Sequence, residues 1–181
     1  GPDPPSTAAD NAALAAILDA TGRHHEAAQI LERALNAFER TLPPDDHEIG
    51  VTLGNLGAID ARLGHLERAE TRVRRALTIK ERHFGPDHPE LVATLGTLGV
   101  IRRRRGDHAE ARRLYQRALQ LLSGRVSPDH PQVAALQANL GRLDLEPSHT
   151  ARPTPSGAQH PRRVQRALAA ESPGTKRLEA R

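Results

Sequence analysis

The stretch "GPDHPELVATLGTLG" (residues 85–99) returns 42 residues later as "SPDHPQVAALQANLG" (residues 127–141). In both copies an Asp-His-Pro triplet precedes small and apolar residues at helical spacing. Two interpretations follow from the residue types alone. Paired Asp and His side chains can form a metal or acid–base site, or the triplet can mark the start of the same structural unit in each copy.

Other positions repeat at the same period. A leucine recurs in register at Leu14, Leu56, Leu98 and Leu140. A glycine recurs at Gly22, Gly64 and Gly106. An alanine recurs at Ala34, Ala76 and Ala118. This self-similarity predicts three full units and the front half of a fourth.

Each unit has the pattern of two helices. The first ends at Gly64 or Gly106, where a glycine can adopt the left-handed conformation that closes a helix. The second contains apolar residues at helical spacing, as in "LERAETRVRRALTIKERHF". Small residues at positions 57, 69 and 76 are expected where the two helices cross. One pair of helices cannot bury its apolar face alone, so neighbouring units are expected to stack into a solenoid.

The repeat favours the structural interpretation of the triplet. Asp87 stands three residues before Glu90, and Asp129 stands three before Gln132, which is the spacing of a capping box. Asp45 keeps this spacing in the second unit. Triplets one repeat apart are also too distant to share one ion. We therefore expect three helix starts and no metal or acid–base site.

Composition restricts the function classes. The 181 residues include Phe38, Phe84 and Tyr115 as the only aromatics, which suits closely packed helices. There is no cysteine, so disulfides and thiolate metal sites are excluded. No apolar run is long enough for a membrane helix, and no signal peptide is recognisable, so a cytoplasmic location is expected. No cofactor is indicated.

The charge is unevenly distributed. Arginine outnumbers lysine 24 to 2, which suggests a GC-rich bacterial genome. Residues 1–146 contain 19 basic and 20 acidic residues, a net charge of −1, whereas residues 147–181 contain 7 and 2, a net charge of +5. The sequence pI of about 10.5 therefore reflects the tail, and the repeats themselves do not indicate nucleic-acid binding.

Two segments carry a family resemblance. Residues 64–76, "GHLERAETRVRRA", and 106–118, "GDHAEARRLYQRA", resemble the tetratricopeptide repeat. The 42-residue period is similar to the kinesin-light-chain-like variant common in bacteria, and the resemblance covers residues 8–146. It implies an all-α, right-handed α-solenoid of about 3.5 stacked helix–turn–helix repeats. It also implies that the first helices line a concave groove that holds a peptide or helix of a partner.

Groove positions follow from helical spacing along the first helices. The candidate partner-binding residues are Val51, Asn55, Ala58, Arg62, Thr97, Val100, Arg103, Arg104, Asn139 and Arg142. Asn55 and Asn139 match an asparagine that hydrogen-bonds the ligand backbone in the resembled family, and Thr97 interrupts the series. The alternative is that these amides satisfy a neighbouring helix backbone.

The arginines among these positions predict an acidic partner, because guanidinium groups bind carboxylates bidentately. Asp19 and Glu146 are expected at the two ends of the groove. Asp60, Arg102 and Asp144 occupy one equivalent position in successive units. We expect Arg102 to pair with Asp60, with Asp144 or with both, as a structural contact.

The chain divides into several expected segments. Gly1-Pro2 resembles the scar of a cleaved affinity tag, so residues 1–6 are expected to be a tag scar and disordered lead. The solenoid is expected over residues 7–146, with repeats at about 7–44, 45–86 and 87–128 and a partial repeat at 129–146. A Pro/Ser-rich linker follows at 147–160, then a candidate displaced capping helix at 161–171 and a disordered basic tail at 172–181.

The "VQRAL" within residues 161–171 repeats the "YQRAL" at 115–119, but 49 residues later. Three interpretations stay open for this segment. It can cover the apolar end of the stack, form a short free helix, or dock on a neighbouring molecule.

The leading function is a non-enzymatic protein–protein interaction module within a larger scaffold or regulatory protein. Its groove is expected to bind an extended or helical, acidic partner segment. The alternatives are binding of nucleic acid or an acidic surface through the basic tail, and homo-oligomerisation through the solenoid ends. No catalytic motif is present, and the histidines lie in repeat linkers and turns.

Overall fold

The computed structural model describes residues 8–146, and all structural statements below concern this part of the chain. The segments predicted at 1–6, 147–160, 161–171 and 172–181 lie outside the described residues. Seven α-helices and one 3-10 turn at Pro89–Leu91 make up the described part. The helices are α1 (Ala8–Ala20), α2 (His24–Thr41), α3 (His47–Leu63), α4 (Leu66–Phe84), α5 (Val92–Arg104), α6 (His108–Leu122) and α7 (Pro131–Leu145).

Successive helices pack as antiparallel pairs, and each pair stacks on the next. The first helices α1, α3, α5 and α7 contact one another in order, and each second helix packs between two first helices. Buried Leu, Ile, Val and Ala side chains from neighbouring pairs form continuous core clusters. The predicted all-α solenoid of helical repeats is confirmed.

The turns within each pair depend on glycine, as predicted. Gly22, Gly64 and Gly106 have φ angles of 80°, 86° and 82°. Residues with a side chain rarely adopt this left-handed backbone conformation, whereas glycine adopts it without a steric penalty. The recurring glycine therefore sets the sharp turn between the first and second helix of a pair.

The Asp-His-Pro triplets begin helical segments, but the capping residue is the histidine. His88 Nδ1 accepts a hydrogen bond from the amide of Glu90 at 3.2 Å, and His130 Nδ1 accepts from that of Gln132 at 3.3 Å. The sequence prediction wrongly assigns this role to Asp87 and Asp129. The proline is the first helical residue, and the residue before a proline favours the extended backbone that an N-cap requires.

The second unit shows the same one-residue shift. Asp46, and not Asp45, caps α3, with its carboxylate accepting from the amide of Glu48 at 2.9 Å. Asp45 instead forms an exposed ion pair with Arg82 of α4 at 2.6 Å. The helix start is therefore predicted correctly, and the capping side chain lies one residue later than expected.

The two helices of a pair approach most closely at a glycine. A Cβ atom placed on Gly57 would lie 2.4 Å from Val73 Cγ2, and one placed on Gly99 would lie 2.3 Å from Tyr115 Cε1. Val73 and Tyr115 are fully buried. The small residues predicted at the helix crossings are thus required by the packing. At Gly141, the equivalent position in α7, no other helix of residues 8–146 has an atom within 4 Å of such a Cβ.

The glycine positions predict two substitutions with opposite effects. Gly99→Ala should lower the free energy of unfolding by about 1–3 kcal/mol, because the added methyl overlaps the ring of Tyr115. Gly141→Ala should raise it by about 1 kcal/mol, because alanine is the better helix former and meets no neighbour. Urea denaturation of both variants and of the original protein measures the change in the free energy of unfolding. Equal effects at the two positions would contradict the packing argument.

Asp60 is the centre of a buried ionic network. Its side chain is fully buried on α3, and its two carboxylate oxygens accept from Arg68 at 2.6 Å and from Arg72 at 2.5 Å. Arg72 also contacts Glu32 of α2 at 2.5 Å. The network therefore joins two successive pairs, and it satisfies a carboxylate that would be costly to bury alone.

The predicted pairing of Arg102 with Asp60 or Asp144 is wrong. Arg102 donates to Glu70 of α4, with a longer contact of 3.5 Å to Asp107. Asp144 pairs at the surface with Arg112 at 2.6 Å. Equivalent positions on adjacent first helices do not meet, because each side chain points towards a second helix. Arg102 therefore forms structural ion pairs, as expected, but with Glu70 and Asp107.

Substitution of the buried and the exposed aspartate should have unequal effects. Asp60→Asn should lower the free energy of unfolding by about 3 kcal/mol, because two guanidinium groups lose a buried counter-charge. Asp144→Asn, at the equivalent position of α7, should cost less than about 1 kcal/mol, because its ion pair is exposed. Chemical denaturation at low and high salt compares them. A larger loss at Asp144 would refute the assignment.

Lys80 occupies a core position of α4. The equivalent residues one repeat before and after are Phe38 and Leu122, and all three side chains are buried. Burial lowers the pKa of Lys80, and the carboxylate of Glu90 acts in the opposite direction. The Nζ atom has only a 3.5 Å contact to the Glu90 carbonyl. The ammonium group is therefore poorly compensated for its desolvation.

Lys80→Leu should raise the free energy of unfolding at pH 7 by roughly 1–2 kcal/mol, because it removes a buried cation. The pKa of Lys80 is lower in the folded protein than in the unfolded chain. At a pH between these two values, the unfolded chain therefore binds more protons than the folded protein. The original protein should therefore gain stability as the pH rises through this interval towards 10.5, and the advantage of Lys80→Leu should shrink. Thermal unfolding at pH 7, 9 and 10.5 tests this, and a pH-independent difference would contradict it.

Candidate functional site

The predicted groove residues all lie on first helices. Val51, Asn55, Ala58 and Arg62 lie on α3; Thr97, Val100, Arg103 and Arg104 on α5; and Asn139 and Arg142 on α7. These helices pack directly on one another. Second helices of successive pairs are instead joined by long side chains such as Arg75 and Glu39. The first helices therefore lie side by side, closer together than the second helices.

The polar residues at the centre of this surface differ in their hydrogen bonding. Thr97 Oγ1 donates to the Ala93 carbonyl of its own helix at 2.9 Å. Asn139 Oδ1 accepts from Arg142 at 3.5 Å, which is a long contact. Asn55 is half-buried, and its amide makes no hydrogen bond to any other residue of the described range. A donor and an acceptor on α3 are thus left without a hydrogen-bond partner among the described residues.

Arg62 is held at one end of the surface by an acidic residue of α1. Its guanidinium group lies 2.5 Å from Asp19 Oδ2, and His24 Nδ1 lies 2.6 Å from the other carboxylate oxygen. Asp19 is largely shielded from solvent, whereas Arg62 is more than half exposed. The Arg62 charge is therefore already balanced by the protein.

Arg103 is engaged at the other end. It forms an ion pair with Glu146, just after α7, and His108 Nε2 lies 3.3 Å from the same carboxylate. Tyr115, fully buried on α6, lies close enough to Arg103 and Glu146 to interact with their charges. Burial raises the pKa of the Tyr115 hydroxyl, and the nearby Arg103 acts in the opposite direction. Arg103 consequently links α5 to the end of α7.

The remaining two arginines have no carboxylate partner among residues 8–146. Arg104 is exposed and donates to the carbonyl of Ala61, in the last turn of α3, where helix carbonyls carry partial negative charge. Arg142 is exposed on α7, with the long contact to Asn139 as its hydrogen bond in this region. These two guanidinium groups are the ones with capacity to bind an external carboxylate.

Sequence reasoning missed the residues that tune this surface. Tyr115 and His108 lie on a second helix, so the groove spacing along first helices gives no signal for them. The Ala61 carbonyl is a backbone group and leaves no trace in the sequence. Asp19 of α1 and Glu146, just after α7, are expected at the ends of the groove, and the structure shows them as partners of Arg62 and Arg103.

Residues 8–146 contain neither a candidate metal site nor a candidate membrane-spanning helix. No group of three or more His, Asp or Glu side chains in this range is arranged to hold a metal ion. No helix in the same range has both the length and the apolar character to cross a membrane.

Comparison with known families identifies the repeat. The family model described as the tetratricopeptide repeat matches residues 6–82, 75–124 and 93–151. The chain belongs to the tetratricopeptide repeat family. Its three overlapping matches span the helices described above. Members of this family commonly mediate protein–protein interaction and are typically non-enzymatic modules.

Solved structures agree with this assignment. One is a Podosopora anserina kinesin light chain with nearly identical TPR-like repeats, at 20% identity and a TM-score of 0.70 over 78% of this chain and 67% of that one. Another is BtubC (BKLC) from P. vanneervenii, at 25% identity and a TM-score of 0.66 over 75% of this chain and 54% of that one. The chain thus spans about half to two thirds of their lengths. No curated protein sequence matches the chain significantly.

Proposed function

We propose that this tetratricopeptide repeat domain is a recruitment module that binds an acidic, extended or helical segment of a partner protein along its first helices. The observation that carries the proposal is the pair of exposed guanidinium groups, Arg104 and Arg142, without carboxylate partners in the described range. Asn55, between them and α1, offers an amide donor and acceptor for a ligand backbone.

The charge balance supports an acidic ligand of limited charge. Arg62 and Arg103 are neutralised by Asp19 and Glu146, so they shape the surface and contribute little net attraction. Two unpaired guanidinium groups suit a segment with two or three carboxylates, since each can form a bidentate pair. A highly acidic tract is not required by this arrangement.

The groove predicts which variants lose the partner. The double variant Arg104→Gln, Arg142→Glu should bind an acidic partner at least tenfold more weakly, because two charge-assisted contacts are lost. A pull-down from native cytosol, read by mass spectrometry, identifies the partner. Titration of its acidic segment against the purified variants then measures the affinity.

The matched control is Arg113→Glu, an exposed arginine on the second helix α6 that pairs only with Glu110 within the described residues. This variant should retain full binding. Equal loss in both variants would indicate general electrostatic attraction and would reject the groove. Retention by the double variant would also reject it, and would favour the alternative through the basic residues 147–181.

Asn55 provides an independent test of ligand geometry. Asn55→Ala should weaken binding of the same segment by about five- to tenfold, because the ligand backbone loses hydrogen bonds worth about 1 kcal/mol. It should leave thermal stability nearly unchanged, since Asn55 bonds no described residue. An unchanged affinity would assign the amide no ligand role.

The wider setting is part of the same proposal. We infer a scaffold or regulatory protein of which this module is one part, acting in a bacterial cytoplasm, as the composition suggests. The alternatives are binding of nucleic acid or an acidic surface through the basic residues 147–181, and self-association through the solenoid ends.

A further inference from the structure

The first pair of helices has an apolar groove on its surface. The groove has a volume of about 740 Å³ and lies between α1 and α2. Its apolar lining comes from Leu14, Ile30, Ala34, Ala37, Phe38 and Leu42. Leu14 is 47% exposed, and Ile17, one turn later on α1, is 63% exposed. Residues three apart lie on the same face of a helix, so these two side chains form one exposed apolar face of α1.

The repeat shows what covers this face elsewhere. Leu56 and Ile59, the equivalents of Leu14 and Ile17 in α3, are buried in one cluster with Leu35 and Phe38 of α2. In α5 the equivalent residues are buried in a cluster that includes α4 side chains. In both inner pairs, a preceding amphipathic helix therefore covers the positions that are exposed in the first pair.

The covering helix also supplies a carboxylate. Arg75 of α4 pairs with Glu39 of α2, and one repeat later Arg117 of α6 pairs with Glu81 of α4 at 2.7 Å. The two glutamates are equivalent to each other, 42 residues apart, as are the two arginines. The same contact thus recurs at each stacked interface.

Arg33 is the corresponding residue of the first pair. It lies 42 residues before Arg75 and lines the apolar groove. No carboxylate in the described range pairs with it. The groove therefore combines the apolar face and the cation that, in the inner pairs, bind a helix with a glutamate.

We propose that this groove, separate from the first-helix surface discussed above, docks an amphipathic helix of a partner protein through Leu14, Ile17 and Arg33. The partner helix lies as α4 lies against α5. Its apolar stripe covers the exposed leucine and isoleucine, and a glutamate at the position of Glu81 pairs with Arg33. The groove thus binds an amphipathic helix that has a carboxylate near its C-terminal end.

A second copy of the chain offers no matching helix within residues 8–146. The inner second helices are already packed between neighbours, and α6 has Ser123 where α4 has Glu81. The outward side of α7 has an exposed Gln137 where α5 has the buried Leu95. Within residues 8–146, a second copy therefore lacks the complementary charge and apolar area, and we assign the occupant to a different protein.

A peptide with the α4 sequence, residues 66–84, is the probe for this site. In the intact protein, α4 covers the equivalent face of the third pair, α5 and α6. The full chain should bind the labelled peptide in fluorescence polarisation. Arg33→Glu should weaken binding about tenfold, and a peptide with Glu81→Arg should restore it to that variant. Leu14→Asp should abolish binding, while circular dichroism remains unchanged.

Two controls make the test specific. Arg40→Glu, an exposed change on the same helix outside the groove lining, should bind the peptide normally. The double variant at Arg104 and Arg142 should also bind the peptide normally. Failure of the apolar groove can therefore be distinguished from failure of the first-helix surface. Binding that ignores Arg33, or no binding at all, overturns the proposal. Arg33-dependent dimerisation in sedimentation equilibrium would identify a second copy as the occupant and also overturn it.

Discussion

The close approach of two helices at a glycine is the contact on which the rest of the structure depends. Val73 packs onto Gly57 and Tyr115 packs onto Gly99, at distances that no side chain at the glycine would permit. Each first helix also contacts the first helix of the next pair. The stacked arrangement combines the contact within each pair with this contact between pairs.

Charge in this molecule is used mainly to hold pairs together. Asp60 is buried with two arginines, one of which reaches the preceding pair, and Glu70 receives Arg102 from the following pair. Such contacts fix the stacking register, because a shifted helix would leave buried charges unpaired. Within residues 8–146, a minority of the arginines remain without carboxylate partners, and their positions are the ones available to a ligand.

The two ends of the described solenoid are not alike. At the α7 end, the outward positions include Gln137 and the open Gly141, so little apolar surface is exposed apart from Leu145. At the α1 end, Leu14 and Ile17 remain exposed beside Arg33. Terminal repeats of solenoids usually have a polar outer face. Among the described residues, the α1 end is therefore the more apolar of the two ends.

The sequence by itself determined the period, the helix pairs, the turn glycines and the small residues at the crossings, because these depend on local backbone geometry and on spacing within one unit. It also located the helix starts, although the capping residue proved to be His88 where Asp87 was expected. Only the tertiary structure decided the partners of Arg62, Arg102 and Arg103. Long side chains select partners across neighbouring helices, and periodicity along the chain does not specify which helix lies within their reach.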